Sequence, residues 1–154
     1  MAKATLSTEF ACDPARLFDL LCDWPGHVRW QPTLAEATQQ GPLVLGTRIV
    51  ETRVAFAQRL RSTYEVSTFE PGRQIVTTSL DGPMRAQQSY LVEQAPAGSR
   101  LTMSYELDPP LMLRMFEQHF VPQITAELQH TLENLGLTLR GEESQHQSWV
   151  WQPT

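Results

Sequence analysis

The hydrophobic pattern of this 154-residue chain changes from the period of strands to that of a long helix after Asp108-Pro109-Pro110. From about residue 34 to residue 107 apolar and polar side chains alternate, which is the pattern of strands that bury one face. After the two prolines, apolar residues recur every three or four positions to about Arg140, as they do along one face of a long helix. Such a chain must cover the apolar face of a sheet with that helix, and this predicts an α+β domain.

The alternating region divides into strands at turn signals. Each signal contains glycine, proline or both, at 41–42, 70–72, 81–83 and 95–98. Because short links join consecutive strands, the strands must be antiparallel. With the N-terminal segment, the predicted strands are 3–10, 34–40, 46–56, 59–69, 73–80, 84–93 and 99–107.

Alternation also predicts which side chains of the sheet face the helix. The expected outer face carries mainly charged and amide side chains: Arg53, Arg61, Glu65, Arg85, Gln87 and Glu93. The expected inner face is mainly apolar, with some hydroxyl and amide groups: Val50, Thr52, Val54, Phe56, Leu60, Ser62, Tyr64, Val66, Met84, Ala86, Gln88, Tyr90, Val92, Leu101, Met103, Tyr105 and Leu107.

Two short helices are expected between the first two strands. Asp13-Pro14 is typical of a helix start, since the aspartate caps free N–H groups and proline lacks the N–H that would be unpaired there. A second short helix carries His27 and Trp30. The long C-terminal helix is expected to bend or break at Pro122. Its apolar stripe is Leu113, Phe116, Phe120, Ile124, Leu128, Leu132, Leu135 and Leu139.

Local motifs in this order are similar to those of the START/Bet v 1-like superfamily (SRPBCC), in particular its polyketide cyclase/dehydrase branch. The motifs are Asp13-Pro14 with Leu17-Phe18, Asp23-Trp24-Pro25, Trp30-Gln31-Pro32, Gly46 and Phe69-Glu70-Pro71. The resemblance covers roughly 3–140. It implies a helix-grip fold, in which a seven-stranded curved antiparallel sheet and the last helix enclose a cavity. It also predicts one ligand-binding domain, 1–140, followed by a flexible tail, 141–154.

A cavity of this kind would hold an apolar ligand, oriented by a few polar groups. His119 is the candidate catalytic residue, because a neutral imidazole can relay protons and the inner tyrosines can hydrogen-bond a developing enolate. The predicted ligand-binding residues are Trp30, Val54, Phe56, Tyr64, Met84, Gln88, Tyr90, Met103, Tyr105, Met112, Met115, Phe116 and His119. Packing of the core explains any one of these residues better. For the set, pocket lining is favoured, because three tyrosines that face one interior need partners for their hydroxyls.

Composition limits the other possible functions. A net charge of −5 argues against nucleic-acid binding, which needs a basic face. Apolar runs are too short for a membrane span and no signal segment precedes the first strand, so a cytoplasmic protein is expected. The spacing of the four histidines does not suggest a metal site, and no cofactor motif is present.

Three hypotheses about function follow. The first is a carrier, sensor or scavenger of a small hydrophobic or aromatic molecule. The second is an enzyme of the polyketide cyclase/dehydratase type that uses His119 and the inner tyrosines. The third is a module that binds a second copy or another protein, like the ubiquinone-binding or ribosome-associated members that the resemblance includes. It would use the outer sheet or the tail, where Trp149 and Trp151 stand out.

Overall fold

The structure is a computed structural model that describes residues 1–55 and 57–141. Phe56 and the tail with Trp149 and Trp151 lie outside the described residues. The strands are β1 (Ala2–Phe10), β2 (Leu34–Gln39), β3 (Arg48–Ala55), β4 (Gln58–Glu70), β5 (Gln74–Ser79), β6 (Arg85–Ala95) and β7 (Gly98–Asp108). The helices are α1 (Pro14–Leu21), a first 3₁₀ helix (Pro25–Arg29), a second 3₁₀ helix (Leu111–Phe116) and α2 (Glu117–Leu139).

All seven strands pair antiparallel in one sheet, in the order β1-β7-β6-β5-β4-β3-β2. The register shifts between Leu34 and Glu36 on β2 and between Val66 and Thr68 on β4. Irregularities of this kind increase the twist of a sheet and help it to curve. A curved antiparallel sheet with a long C-terminal helix is the helix-grip architecture, so the predicted fold is confirmed.

The two N-terminal helices close one end of the sheet. The side chain of Asp13 accepts a hydrogen bond from the Ala15 N–H at 2.9 Å, and Pro14 occupies the first turn, as the sequence predicts. Helix α1 then buries Leu17 and Leu21 completely and packs against β6 and β7, whereas the first 3₁₀ helix packs against β2. Among the residues that follow α1, Trp24, His27 and Trp30 are completely buried.

Helix α2 packs against β1 and β7 and is not broken at Pro122. Proline removes one main-chain hydrogen bond, but Phe120 and Ile124 on either side of it are buried, and this packing holds the helix together. The expected stripe is buried from Phe120 to Leu135. The prediction of this stripe is wrong at Leu113 and Phe116, which lie in the second 3₁₀ helix and are exposed. A 3₁₀ helix has three residues per turn, so the face that begins at Phe120 does not continue into it.

None of the helices in the described residues has both the length and the apolar composition that crossing a bilayer requires.

Candidate functional site: a buried charged cluster beside a small cavity

Glu51 and Arg53 on β3 point into the domain, and the predicted faces of β3 are therefore wrong. Antiparallel partners carry their side chains on the same face of a sheet. Glu51 pairs with Ser62 and Arg53 pairs with Leu60, and β4 has its inner face at these positions, as expected. The sequence interpretation chose Val50, Thr52 and Val54 because they are more apolar. The alternate set, Ile49, Glu51, Arg53 and Ala55, is the one that faces inward.

Arg53 is the centre of this polar interior. Its Nε donates to Glu51 Oε1 at 2.9 Å, and its Nη1 donates to Glu127 Oε1 on α2 at 3.0 Å. Nη1 also donates to Thr33 Oγ1 at 3.0 Å, and Nη2 donates to Gln31 Oε1 at 2.6 Å. The Thr33 hydroxyl donates to the same oxygen of Glu127. We call Gln31, Thr33, Glu51, Arg53 and Glu127 the Arg53 cluster; it ties β3 to α2 and to the segment before β2.

Glu51 is the most deeply buried carboxylate of the Arg53 cluster, with 1% of its side chain exposed. It accepts a hydrogen bond from Trp24 Nε1 at 2.6 Å, and Gln88 Nε2 donates to its two oxygens at 3.2 and 3.3 Å. Arg53 supplies the opposite charge. A buried carboxylate persists only when it is paired and hydrogen-bonded, and these donors meet both conditions.

A second layer of hydrogen bonds fixes Gln31. Its Nε2 donates to His27 Nδ1 at 2.9 Å and to Tyr90 Oη at 3.1 Å. His27 Nε2 lies 2.8 Å from the Leu21 carbonyl, which can only accept, so Nε2 carries the proton and Nδ1 is free to accept from Gln31. The Tyr90 hydroxyl donates to Gln88 Oε1 at 3.2 Å. These bonds fix how the Gln31 amide is oriented, with its oxygen towards Arg53.

Burial and charge set the protonation of this layer. Burial lowers the pKa of His27 to about 3, against a smaller opposing effect of its bond to Leu21, so the imidazole is neutral. Burial also opposes the charge on Arg53, but Glu51 and then Glu127 outweigh it and hold the pKa of Arg53 well above its usual value.

The imidazole of His27 stacks on Trp24 at 4.1 Å and contacts Trp30 at 4.3 Å between ring centroids.

A cavity of about 70 Å³ lies against the Arg53 cluster. One part of its wall is polar: Thr33, Glu51, Arg53, Ser62, Tyr64, Tyr105 and Glu127. The other part is apolar: Ala55, Leu60, Pro83, Met84, Ala86 and Leu107. Burial raises the pKa of Tyr64 to about 12, with Glu51 adding to the effect, and burial also raises the pKa of Tyr105. Both tyrosines therefore face the cavity as neutral hydroxyls.

A second space of about 20 Å³ shares Arg53, Tyr105 and Glu127 with the first. Its other walls include Gln31, Gln88, Tyr90, Met103 and Ile124. These three shared side chains thus separate two small voids inside the domain.

The family model for polyketide cyclase / dehydrase and lipid transport matches residues 1–140. The chain belongs to this family. The suspected resemblance is thereby confirmed, and the helix-grip fold of the family is one that holds hydrophobic ligands. No curated protein matches the sequence.

Solved structures share the fold of this family member at low sequence identity. A protein of Thermus thermophilus superposes with a TM-score of 0.70 and 18% identity over 91% of this chain and 97% of that one. Major latex-like protein 151 of Panax ginseng superposes with a TM-score of 0.68 and 10% identity, over 89% of this chain and 96% of that one. A START superfamily protein of Mycobacterium smegmatis superposes with a TM-score of 0.65 and 16% identity, over 92% of this chain and 96% of that one.

The structure brings together some of the residues that the sequence predicts for the site. Tyr64, Met84 and Tyr105 line the larger cavity, and Gln88, Tyr90 and Met103 line the smaller one. Trp30 is fully buried beside His27 and lines neither of these cavities. Their roles in ligand binding stay predictions.

Other predicted site residues lie elsewhere. Val54 is on the outer face of β3, as its register shows, and Phe56 is outside the described residues. Met112 is 85% exposed and Met115 is 75% exposed. Phe116 and His119 are exposed as well. Met112, Met115 and Phe116 belong to the second 3₁₀ helix, which directs its side chains away from the face that α2 buries. His119 lies in the first turn of α2, on its exposed face.

Sequence reasoning missed the Arg53 cluster, although two signals pointed to it. Ala55 pairs with Gln58, and a hairpin this tight fixes the parity of β3 once the inner face of β4 is known. Glu127 follows Ile124 by three positions, on the edge of the buried stripe of α2. Charged residues at inward positions, with opposite signs on β3 and α2, are the pattern of a buried ion pair.

Replacing Arg53 with methionine should destabilise the fold, because Glu51 and Glu127 would remain buried without a cation. We expect a loss of about 3–5 kcal/mol in the free energy of unfolding, measured by urea denaturation. The matched control is Arg61→Met on the exposed face of β4, which should change stability by no more than about 0.5 kcal/mol. Equal effects of the two substitutions would show that Arg53 is not held inside by these carboxylates.

The neutral His27 should make stability depend on pH. The unfolded chain takes up a proton on this histidine near pH 6.5, whereas the folded chain does so only near 3. The contribution of His27 to the free energy of unfolding is therefore fully present above about pH 6.5. It falls by about 1.4 kcal/mol per pH unit as the pH drops towards 3. Between about pH 7 and about pH 5, wild type should lose about 2 kcal/mol more than His27→Gln.

Chemical denaturation of wild type and His27→Gln at both pH values measures the two losses of unfolding free energy. Contributions from the titration of carboxylates are common to the two proteins and cancel in the difference. His119→Gln, at an exposed histidine, is the control and should keep the wild-type dependence. A wild-type slope in the His27 variant would contradict the assignment of a neutral buried imidazole.

Proposed function

We propose that this protein binds a small, mainly apolar or aromatic molecule in the cavity between the sheet and α2. The observation that supports this most directly is the division of the cavity wall into an apolar part and a polar part. Small-molecule sites are mostly apolar with a few placed polar groups, which fix the orientation of the ligand. Here Leu60, Met84 and Leu107 supply apolar contacts, and Tyr64 and Tyr105 supply hydroxyls.

The size of the cavity limits the guest. Its volume of about 70 Å³ is smaller than the roughly 150 Å³ of an engineered protein cavity that binds benzene. A ring-sized guest must therefore displace part of the wall. Met84 is half-buried and unbranched, and it follows Pro83 in the loop before β6, so this part of the wall can move at the lowest cost.

The approach to the cavity combines apolar and charged side chains, the latter being Arg85, Asp108 and Arg114. A surface depression contains Pro83 and Met84 together with Pro109, Pro110 and Leu111 at the start of the second 3₁₀ helix. Leu111 is 80% exposed. Because Met84 lines both this depression and the cavity, a guest that reaches the depression lies next to the movable side of the cavity wall.

Binding is better supported than catalysis by His119. That side chain is exposed and does not line the cavity. The groups able to exchange protons that do face the cavity are Glu51, Glu127 and the two tyrosines. Burial holds the tyrosines neutral, and Arg53 engages both carboxylates. Such an arrangement is suited to holding a guest by hydrogen bonds.

Filling the cavity should abolish binding. Ala86 is buried on the cavity wall, so Ala86→Phe places a ring where the guest would lie. We expect its affinity for 4-methylphenol, a single-ring probe, to fall at least about tenfold in calorimetric titration. Gln87→Phe puts the same ring on the exposed face of the same strand and should bind as wild type does.

Native mass spectrometry of the freshly purified proteins provides an independent measurement. Wild type and Gln87→Phe should retain a small molecule that Ala86→Phe lacks, while thermal unfolding confirms that both variants fold. The proposal fails if wild type neither retains a molecule nor binds the probe, or if Ala86→Phe binds it as well as wild type does.

A further inference from the structure

The cavity presents more negative than positive charge to a guest. Two carboxylates, those of Glu51 and Glu127, and one guanidinium, that of Arg53, form part of its wall. The remaining polar side chains on the wall are hydroxyls. The formal charge of the groups around the cavity is therefore −1, in surroundings where 1% to 15% of each charged side chain is exposed.

Arg53 is already committed to partners within the protein. It donates four hydrogen bonds of 2.6–3.0 Å, to both carboxylates and to Gln31 and Thr33. An anionic guest would have to compete with two carboxylates for the one cation on the wall. It would also add a second unbalanced negative charge in a site with little water, where charge burial is costly.

A guest that donates a hydrogen bond meets the opposite situation. Glu51 already accepts hydrogen bonds from Arg53, Trp24 and Gln88, but the neutral hydroxyls of Tyr64 and Tyr105 accept as well as donate. The Tyr64 hydroxyl has Tyr105 and Gln88 beside it, so the tyrosines and the carboxylates form one connected polar wall. A hydroxyl or amino group on an apolar guest can add to this wall without displacing Arg53 from Glu51 or Glu127.

From this charge balance we propose that the cavity selects apolar molecules that carry a hydroxyl or amino hydrogen-bond donor and rejects the corresponding carboxylates. The inference rests on the proposed function, since it names the chemical class of the guest for the same cavity. It places the selectivity in Glu51 and Glu127, which no feature of the fold alone requires.

Four single-ring probes of similar shape test the selectivity: p-xylene, 4-methylphenol, 4-methylaniline and 4-methylbenzoate. Calorimetric titration of the wild-type protein at neutral pH should give tighter binding of the phenol and the aniline than of p-xylene. The benzoate should bind at least about tenfold more weakly than the phenol, because it alone is an anion.

Glu127→Gln removes one negative charge and keeps a side chain of the same shape. It should reduce the discrimination between phenol and benzoate about tenfold. Glu133→Gln, at an exposed position of the same helix, should keep the wild-type ranking. The ranking in wild type stands as a test by itself if the Glu127 variant does not fold.

The results separate the two proposals. If the benzoate binds as tightly as the phenol, the charge selectivity is wrong, whereas binding of an apolar guest in the cavity still holds. If none of the four probes binds to wild type, the proposed function fails and the selectivity fails with it.

Discussion

The ion pair between Arg53 and the carboxylates of Glu51 and Glu127 connects parts of the fold that packing alone leaves apart. Helix α2 packs on β1 and β7, whereas β3 lies close to the opposite edge of the sheet. Curvature of the sheet brings β3 back towards the helix, and Arg53 meets Glu127 across the gap at 3.0 Å. Because this contact is made by long polar side chains, the space beside it is not filled, and the cavity lies there.

This arrangement relates stability to function. Removing one partner from a buried ion pair is costly, while the net gain from forming it is small. The hydrogen bonds that Trp24 and Gln88 donate to Glu51, and the one that Gln31 accepts from Arg53, therefore keep the charges satisfied and in place. A rigid polar wall of this kind can orient a guest, and the opposite wall at Met84 can adjust to its shape. A fold does not by itself settle chemistry, so the residues of the Arg53 cluster carry the argument for this cavity.

The architecture follows from the sequence because alternation, turn residues and the long helical stripe agree with one another. The errors have local physical causes. On β3 the more apolar set, Val50, Thr52 and Val54, faces outward, since the register with β4 places Glu51 and Arg53 inside. The polar partners of that pair lie about twenty or more positions away along the chain, on α2 and before β2. Local periodicity does not show that they meet Arg53, although the register of the β3–β4 hairpin and the place of Glu127 at the edge of the α2 stripe point to it. Before α2, the change to a 3₁₀ helix ends the stripe that hydrophobic spacing extends to Leu113.

The side chain of Arg53 offers the most direct test of this account. In a ¹⁵N-labelled protein, the Nε–H group of a buried and hydrogen-bonded arginine exchanges slowly with water, whereas that of an exposed arginine such as Arg61 exchanges fast. We expect a protected Arg53 Nε–H resonance that shifts when 4-methylphenol is added. An Arg53 resonance that exchanges as fast as that of Arg61, and is unaffected by the probe, would contradict a cavity built on this buried ion pair.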